Sequence, residues 1–224
     1  MSNNLFRRTC ALTAFALTLI GAPSAQADPT FHTTGYAVGA QQFGLSMGGS
    51  PNAGAFKGTW GGDPIIFWCI ELDQYFSFGQ DYTYKASLPN NALFSLLGKL
   101  FTETQGSELS DTKHSAAFQL AIWEIVYDSG NLKLDSGSFK VTNDYLHPET
   151  VELAQEWLDG LAGEKDKYDV YLLSNDAHQN FITTHQVTPP PPPAELPEPP
   201  VLALLGIALG AGWFARRGKA VVHA

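Results

Sequence analysis

Residues 116–127 read AAFQLAIWEIVY, and this stretch is apolar at nearly every position. An apolar segment of this length predicts a helix that is buried on several sides. Ser110 and Asp111 offer an N-cap just upstream, and the sequence DSGN at 128–131 is typical of a helix end. The helix carries one amide, Gln119, and leaving its polar groups unpaired in a core costs about 1–3 kcal/mol. The fold must therefore place polar partners opposite Gln119.

The candidate partner is Cys69, which lies in the apolar run IIFWCIEL at 65–72. This run follows the turn sequence GGDP and predicts a core strand. The other cysteine of the chain, Cys10, lies in a segment that we expect to be removed, so the mature chain can form no internal disulfide. A single thiol in an oxidising compartment is normally lost, paired between chains or protected.

The sequences WCIEL at 68–72 and FQLAIW at 118–123 resemble the two halves of a bacterial surface thioester domain of the TQxA type. Phe118 stands where that motif has threonine. The resemblance implies that Cys69 and Gln119 condense with loss of ammonia into an internal thioester, which can acylate a nucleophile on a target surface. The stretch SNDAHQNFI at 174–182 resembles the closing segment of such domains. We expect its His178 and Gln179 to be turn residues.

The chemistry of such a bond is physically reasonable. A near-attack geometry of sulfur and carbonyl carbon contributes about 7–11 kcal/mol toward the barrier, and the product needs a dry pocket. Aromatic residues near the two motifs are expected to wall this pocket: Trp68, Phe118, Trp123 and Tyr127. The alternative interpretation is that Cys69 is a small buried hydrophobe, Gln119 a satisfied helix amide and the aromatic residues ordinary core.

Two titratable residues of the same helix are further candidates. Glu124 could act as a general base toward an incoming amine, and His114 could approach Cys69 in space, as in a cysteine hydrolase. His114 and Gln119 are five residues apart, so their side chains point to different helix faces. A surface histidine and a solvated or capping glutamate are the competing interpretations. No zinc spacing or phosphate loop is present, so we expect no metal and no cofactor.

The N-terminal residues 1–27 predict a secretory signal peptide. They contain Arg7 and Arg8, an apolar stretch at 10–20 and the cleavage sequence Ala25-x-Ala27. A signal peptidase is therefore expected to release a mature chain that begins at Asp28.

The C-terminal residues predict a second targeting signal. A proline-rich linker at 188–196 predicts an extended spacer. Residues 197–219 begin with Pro197, Glu198 and Pro199, continue with an apolar helix at 201–215 and include the basic residues Arg216, Arg217 and Lys219. This order resembles the PEP-CTERM sorting signal of Gram-negative bacteria, also labelled an ice-binding protein C-terminal domain. The resemblance implies cleavage by an exosortase, after a transient membrane anchorage with the basic end in the cytoplasm.

Residues 28–187 predict a single globular domain between these signals. Short strands are predicted at 36–39, 42–47, 55–60, 65–72, 74–78, 81–85 and 168–173. Besides the glutamine helix, helices are predicted at 91–101 and 148–160. Residues 131–141 predict a loop with one short strand. The expected fold class is α+β, with a β-sheet or barrel that holds Cys69 and a helical portion that holds Gln119.

The amino-acid composition limits the classes of molecule that the mature domain is expected to bind. Acidic residues outnumber lysine and arginine by 22 to 13, and no arginine lies between residues 28 and 187. Nucleic acid and anionic membranes are therefore disfavoured as partners of the mature domain. We expect an exported surface or matrix protein whose thioester attaches to amine or hydroxyl groups of an extracellular polysaccharide or surface protein. Such a domain reacts once and is not an enzyme. The alternative is a non-covalent structural or biofilm-matrix protein.

Overall fold

The computed structural model describes residues 29–187 of the 224-residue chain. Their strands and helices follow in chain order as β1 (Thr30–Tyr36), β2 (Gln41–Gln42), β3 (Asn52–Ala53), β4 (Phe56–Trp60), β5 (Asp63–Cys69), β6 (Asp81–Thr83), β7 (Lys85–Ser87), α1 (Ala92–Thr104), α2 (Thr112–Asp128), α3 (Pro148–Gly160), β8 (Tyr171–Ser174) and β9 (Phe181–Thr183). Short 3-10 helices lie at Ser107–Leu109 and Asp144–Leu146.

Seven strands form one antiparallel sheet in the order β6-β1-β4-β5-β9-β8-β7. The edge strands β6 and β7 are separated along the chain by Tyr84 alone, so the sheet curls until its two edges nearly meet. β2 and β3 pair separately. The fold is thus a mixture of helix and strand, built on a nearly closed seven-stranded sheet.

A tight hairpin places the strand that carries Cys69. The two-residue turn between β4 and β5 consists of Gly61 and Gly62, with φ of 59° and 98°. Glycine adopts these positive φ values without steric cost, and they match the twist of a two-residue hairpin. The β4–β5 pairing ends with Phe56 opposite Phe67. Cys69 therefore extends beyond the end of β4.

Aromatic rings fill the interior of the curled sheet, namely Phe31, Phe56, Phe67, Phe76, Tyr84 and Phe181. The ring centroids of Phe31 and Phe67 are 4.7 Å apart, and those of Phe67 and Phe181 are 4.9 Å apart, both in edge contacts. Because side chains alternate along a strand, Cys69 shares the inner face with Phe67. The thiol lies at one end of this aromatic interior.

The glutamine helix is α2, with Asp111 as its N-cap. Every residue from Ser115 to Ile125 is buried, because α1, α3, the 3-10 helix at Ser107–Leu109 and the β2–β3 pair all pack around this helix. On the outer face of β5, Trp68 contacts Phe101 of α1 and Phe118 of α2, with ring centroids 5.3 and 5.1 Å apart. The helices therefore cover the side of β5 that faces away from the aromatic interior.

Most predicted elements are present, with shifted bounds. Asn91 caps α1, and α3 spans the predicted residues. The prediction of one strand at 81–85 is corrected to β6 and β7, which are separated at Tyr84, and the strand predicted at 168–173 is β8. The strand predicted at 36–39 is replaced by β1, which ends at Tyr36.

Three strand predictions are wrong or reduced. Residues 74–78 form a loop, and their alternation arises because Phe76 packs on Phe181 with ring centroids 5.0 Å apart while Tyr75 is exposed. Of the predicted strand at 42–47, only the β2 end and an isolated bridge at Leu45 are present. The partner in that bridge, Val141, is the only strand-like residue of the loop at 131–141.

Several predictions lie outside the described residues. They are the signal peptide at 1–27, the linker at 188–196, and the sorting signal at 197–219 with its membrane helix at 201–215. Between residues 29 and 187, the structure contains no helix long and apolar enough to cross a membrane.

Candidate functional site

Gln119 is bound to the backbone of Cys69. The Cys69 N–H donates to Gln119 Oε1 at 3.1 Å, and Gln119 Nε2 donates to the Cys69 carbonyl oxygen at 2.8 Å. The neighbouring Ile70 N–H bonds toward the β9 side, to the carbonyl oxygen of Asn180. Backbone groups alternate sides along a strand, so Cys69 faces the side where β4 has already ended. The side-chain amide of Gln119 thus continues the sheet hydrogen bonding that β4 no longer supplies.

The thiol of Cys69 contacts a different glutamine. Gln179 Nε2 lies 2.6 Å from Cys69 Sγ and donates to it, and it also donates to the Glu71 carbonyl oxygen at 2.8 Å. The thiol itself donates to the same carbonyl at 2.6 Å. Even N–H···O bonds, which join smaller atoms, measure about 2.7–3.2 Å. Sulfur and the Gln179 amide are therefore in very close contact.

Three neighbours hold Gln179 at the thiol. The Tyr84 hydroxyl donates to the backbone carbonyl oxygen of Gln179 at 2.6 Å. The Glu71 carboxylate accepts from the Asn180 backbone N–H at 3.2 Å and from Asn180 Nδ2 at 2.5 Å. Since Glu71 follows β5 and Asn180 precedes β9, this pairing joins the segments that carry the cysteine and the glutamine. The contact between Cys69 and Gln179 is thus a built feature of the fold.

The thiol is buried, with 2% of Cys69 exposed. Burial raises the pKa of the Cys69 thiol to about 12, against the lowering effects of the Trp123 side chain, the Glu71 backbone and the Gln179 side chain. A thiol with this pKa is almost entirely protonated at neutral pH and is a poor nucleophile toward reagents in solution. Its environment protects it from oxidation.

Two of the four predicted wall residues lie at the thiol end of the interior. Trp123 is close enough to affect the thiol pKa, and its indole N–H has no hydrogen-bond partner among the described residues. The Tyr127 hydroxyl accepts from the Leu72 N–H at 2.8 Å, just beyond Cys69. Trp68 and Phe118 pack instead on the helix side of β5, because Trp68 alternates with Cys69 along the strand.

Neither candidate base contacts the thiol. His114 pairs with Asp111 at 2.8 Å and lies beside Trp157 of α3. Glu124 is buried and accepts from the Lys133 N–H at 2.8 Å, on another face of α2. The structure therefore brings together Cys69 and Gln119, but leaves His114 and Glu124 apart from them.

Sequence reasoning missed Gln179, Glu71, Asn180 and Tyr84 as site residues. Gln179 was expected to be a turn residue within the closing segment at 174–182. The available signal was the polar pair Gln179-Asn180 directly before the buried strand β9, a place where side chains can reach a neighbouring strand end. Position in the sheet, rather than local pattern, gives these residues their role.

Within residues 29–187, no group of three or more histidine, cysteine, aspartate or glutamate side chains is arranged to hold a metal ion. Comparisons with protein-family models, with curated proteins and with solved structures gave no match to this chain.

Proposed function

We propose that this chain is an exported surface or extracellular-matrix protein that attaches to its target through an internal thioester between Cys69 Sγ and Gln179 Cδ. The observation that carries the proposal is the 2.6 Å distance between Gln179 Nε2 and Cys69 Sγ. The acyl donor is Gln179 rather than the Gln119 of the sequence motif, because both polar atoms of the Gln119 amide are bound to the Cys69 backbone.

The geometry suits condensation. An amide C–N bond is about 1.33 Å long, so Gln179 Cδ lies within about 3.9 Å of the sulfur. This distance is close to the near-attack range of about 3–3.5 Å. In the reaction, Sγ bonds to Cδ, the Cδ–Nε2 bond breaks, and the thiol proton passes to the departing nitrogen, which leaves as ammonia. No external co-reactant is required.

The surroundings suit storage of the product. A thioester is lost to hydrolysis where water reaches it, and the aromatic interior keeps water from the buried sulfur. Gln179 is partly exposed as a residue, whereas Cys69 is buried. A nucleophile can thus approach the acyl carbon while the sulfur stays protected.

The sequence supplies the cellular context of the proposal. The signal peptide and the PEP-CTERM-like tail imply processing by a signal peptidase and an exosortase, with transient anchorage in the membrane before release to the surface. The target is an extracellular polysaccharide or surface protein with amine or hydroxyl groups. Each molecule reacts once, because acyl transfer consumes the thioester.

Intact mass is the direct test. We expect the mature domain to weigh less than its sequence by one ammonia, because condensation expels the Gln179 nitrogen. Methylamine should add to the acyl group as an N-methylamide, which removes the deficit and leaves the protein heavier than its sequence by one methylene group. The variants Cys69→Ala and Gln179→Ala should show no deficit. Gln42→Ala, at an exposed position on β2, controls for loss of a glutamine and should retain it.

The outcomes separate the candidates. A deficit that persists in Gln179→Ala would contradict our choice of acyl donor and return Gln119 to that role. A full mass in the wild-type protein would refute the thioester and favour the non-covalent matrix protein. The raised pKa and burial of Cys69 support that second candidate, since they protect a lone thiol without any bond.

The site also predicts a preference between nucleophiles. The Glu71 carbonyl accepts from Gln179 Nε2, and an amide formed with a primary amine retains an N–H at that place, whereas an ester has none. One such hydrogen bond is worth about 1 kcal/mol, or about fivefold in rate. We therefore expect the rate ratio of methylamine to methanol to exceed that of an exposed small-molecule thioester by about fivefold. Equal ratios would show that this carbonyl does not select the nucleophile.

A further inference from the structure

Trp123 carries a buried hydrogen-bond donor beside the reacting sulfur. The residue is 1% exposed, and its Nε1–H has no acceptor with hydrogen-bond geometry among the described residues. Leaving a buried donor unpaired destabilises the folded state. Trp123 lies four residues after Gln119, so both side chains project from the face of α2 that meets Cys69. The unpaired N–H is therefore located where the chemistry would change the charge of its neighbour.

The sulfur becomes a much better acceptor during the reaction. Both formation and cleavage of the thioester pass through a state in which Sγ carries negative charge, and a charged acceptor binds an N–H far more strongly than a thiol does. The Trp123 side chain is also the largest of the influences that lower the pKa of Cys69 against the effect of burial. An indole N–H is a donor only, so it favours the thiolate without competing for the thiol proton.

We propose that Trp123 Nε1–H is a catalytic donor that stabilises the Cys69 thiolate during formation and cleavage of the thioester; this inference rests on the proposed function. In cleavage, the amine nitrogen bonds to Gln179 Cδ, the Cδ–Sγ bond breaks, and its electron pair goes to Sγ. Trp123 donates to the sulfur while it holds this pair. The proton released by the amine then converts the thiolate to the thiol.

The chain offers a matched control in Trp68. Its Nε1 also lacks a partner among residues 29–187, and it is equally buried, at 2%. It precedes Cys69 directly but lies on the opposite face of β5, against Phe101 and Phe118. Trp68→Phe therefore removes an indole N–H and the same side-chain volume from the core as Trp123→Phe does. It leaves the donor near the Cys69 thiol in place.

The experiment measures methylamine cleavage of the purified thioester by intact mass against time. A hydrogen bond to a charged group is worth about 1.5–3 kcal/mol, so Trp123→Phe should react about 10- to 150-fold more slowly than the wild-type protein. Trp68→Phe should react at the wild-type rate. Equal rates for Trp123→Phe and Trp68→Phe would overturn the role of Trp123.

A second variant separates the donor from packing. Replacing Trp123 by 3-benzothienylalanine places sulfur where indole has N–H and keeps the ring size, so it should slow cleavage as much as Trp123→Phe does. A wild-type rate in this variant would also overturn the inference. If the wild-type protein shows no ammonia deficit, the thioester itself fails, which is a different result from a normal thioester with unaltered cleavage in the Trp123 variants.

Discussion

Gln119→Leu is expected to lower the free energy of unfolding by about 2–6 kcal/mol and to abolish the ammonia deficit. Leucine fills a similar volume, but it leaves the N–H and the carbonyl of Cys69 without the partners that Gln119 provides at 3.1 and 2.8 Å. Each unpaired buried backbone group costs about 1–3 kcal/mol. The strand end would move to reach water, which would carry the sulfur away from Gln179.

Urea unfolding of the domain measures this loss of stability, and intact mass measures the loss of the thioester. Gln119→Glu provides a rescue, because only a protonated carboxyl can donate to the Cys69 carbonyl as the amide does. Because the folded site favours the protonated form, the pKa of the new carboxyl is raised in the folded state. Its stabilising contribution is therefore present at low pH and lost as the pH rises through the folded-state pKa.

An unchanged midpoint in Gln119→Leu would contradict the structural role of the amide. Full stability together with loss of the thioester would instead indicate that Gln119 is the acyl donor. The two measurements thus decide between a glutamine that positions the cysteine and one that reacts with it.

The helical half of the domain could be predicted well from sequence, because its signals are local. Asn91 and Asp111 cap α1 and α2 through bonds to the N–H three residues on, and Pro148 begins α3. Burial of Gln119 was also predictable, since an amide within an apolar helix must be partnered. What it bonds to, the Cys69 backbone, was not, because that depends on where β4 ends.

The sheet was harder to predict from sequence, because its geometry comes from pairing between distant segments of the chain. Residues 81–85 alternate like one strand, but Tyr84 turns into the interior and donates to Gln179, so the chain passes from one sheet edge to the other. The same long-range pairing makes Gln179 a site residue, 110 positions after Cys69. Local pattern does not contain this information.

The two glutamines contact different parts of Cys69. Gln119 holds the backbone of the cysteine, and Gln179 contacts its side chain. A sequence motif identifies the first because it lies in a long apolar helix. Only the three-dimensional register of β5 and β9, with Cys69 opposite Phe181, identifies the second.

Glu124→Gln is expected to make the protein more stable at pH 8 by about 3 kcal/mol and to have little effect near pH 4. Glu124 is fully buried, and only its Oε1 has a partner among the described residues, the Lys133 N–H. Burial raises the pKa of Glu124 from 4.5 to about 7; the Lys133 bond opposes this, and the charges of Asp128 and Asp135 add to it. Glutamine keeps an acceptor for Lys133 and carries no charge.

The upward shift of the Glu124 pKa decides at which pH this residue stabilises the protein. Because the folded-state pKa lies above 4.5, the folded protein binds the Glu124 proton more tightly than the unfolded chain does. Glu124 therefore contributes stability at low pH that is lost as the pH rises from about 4.5 through about 7. Subtracting the urea stabilities of the wild type from those of Glu124→Gln isolates this residue, and Glu156→Gln, on the exposed side of α3, controls for loss of one charge. A difference that does not change with pH would mean that the Glu124 carboxylate is solvated in the folded protein, and the loop beyond α2 would then have to open to water where the structure shows it closed on Lys133.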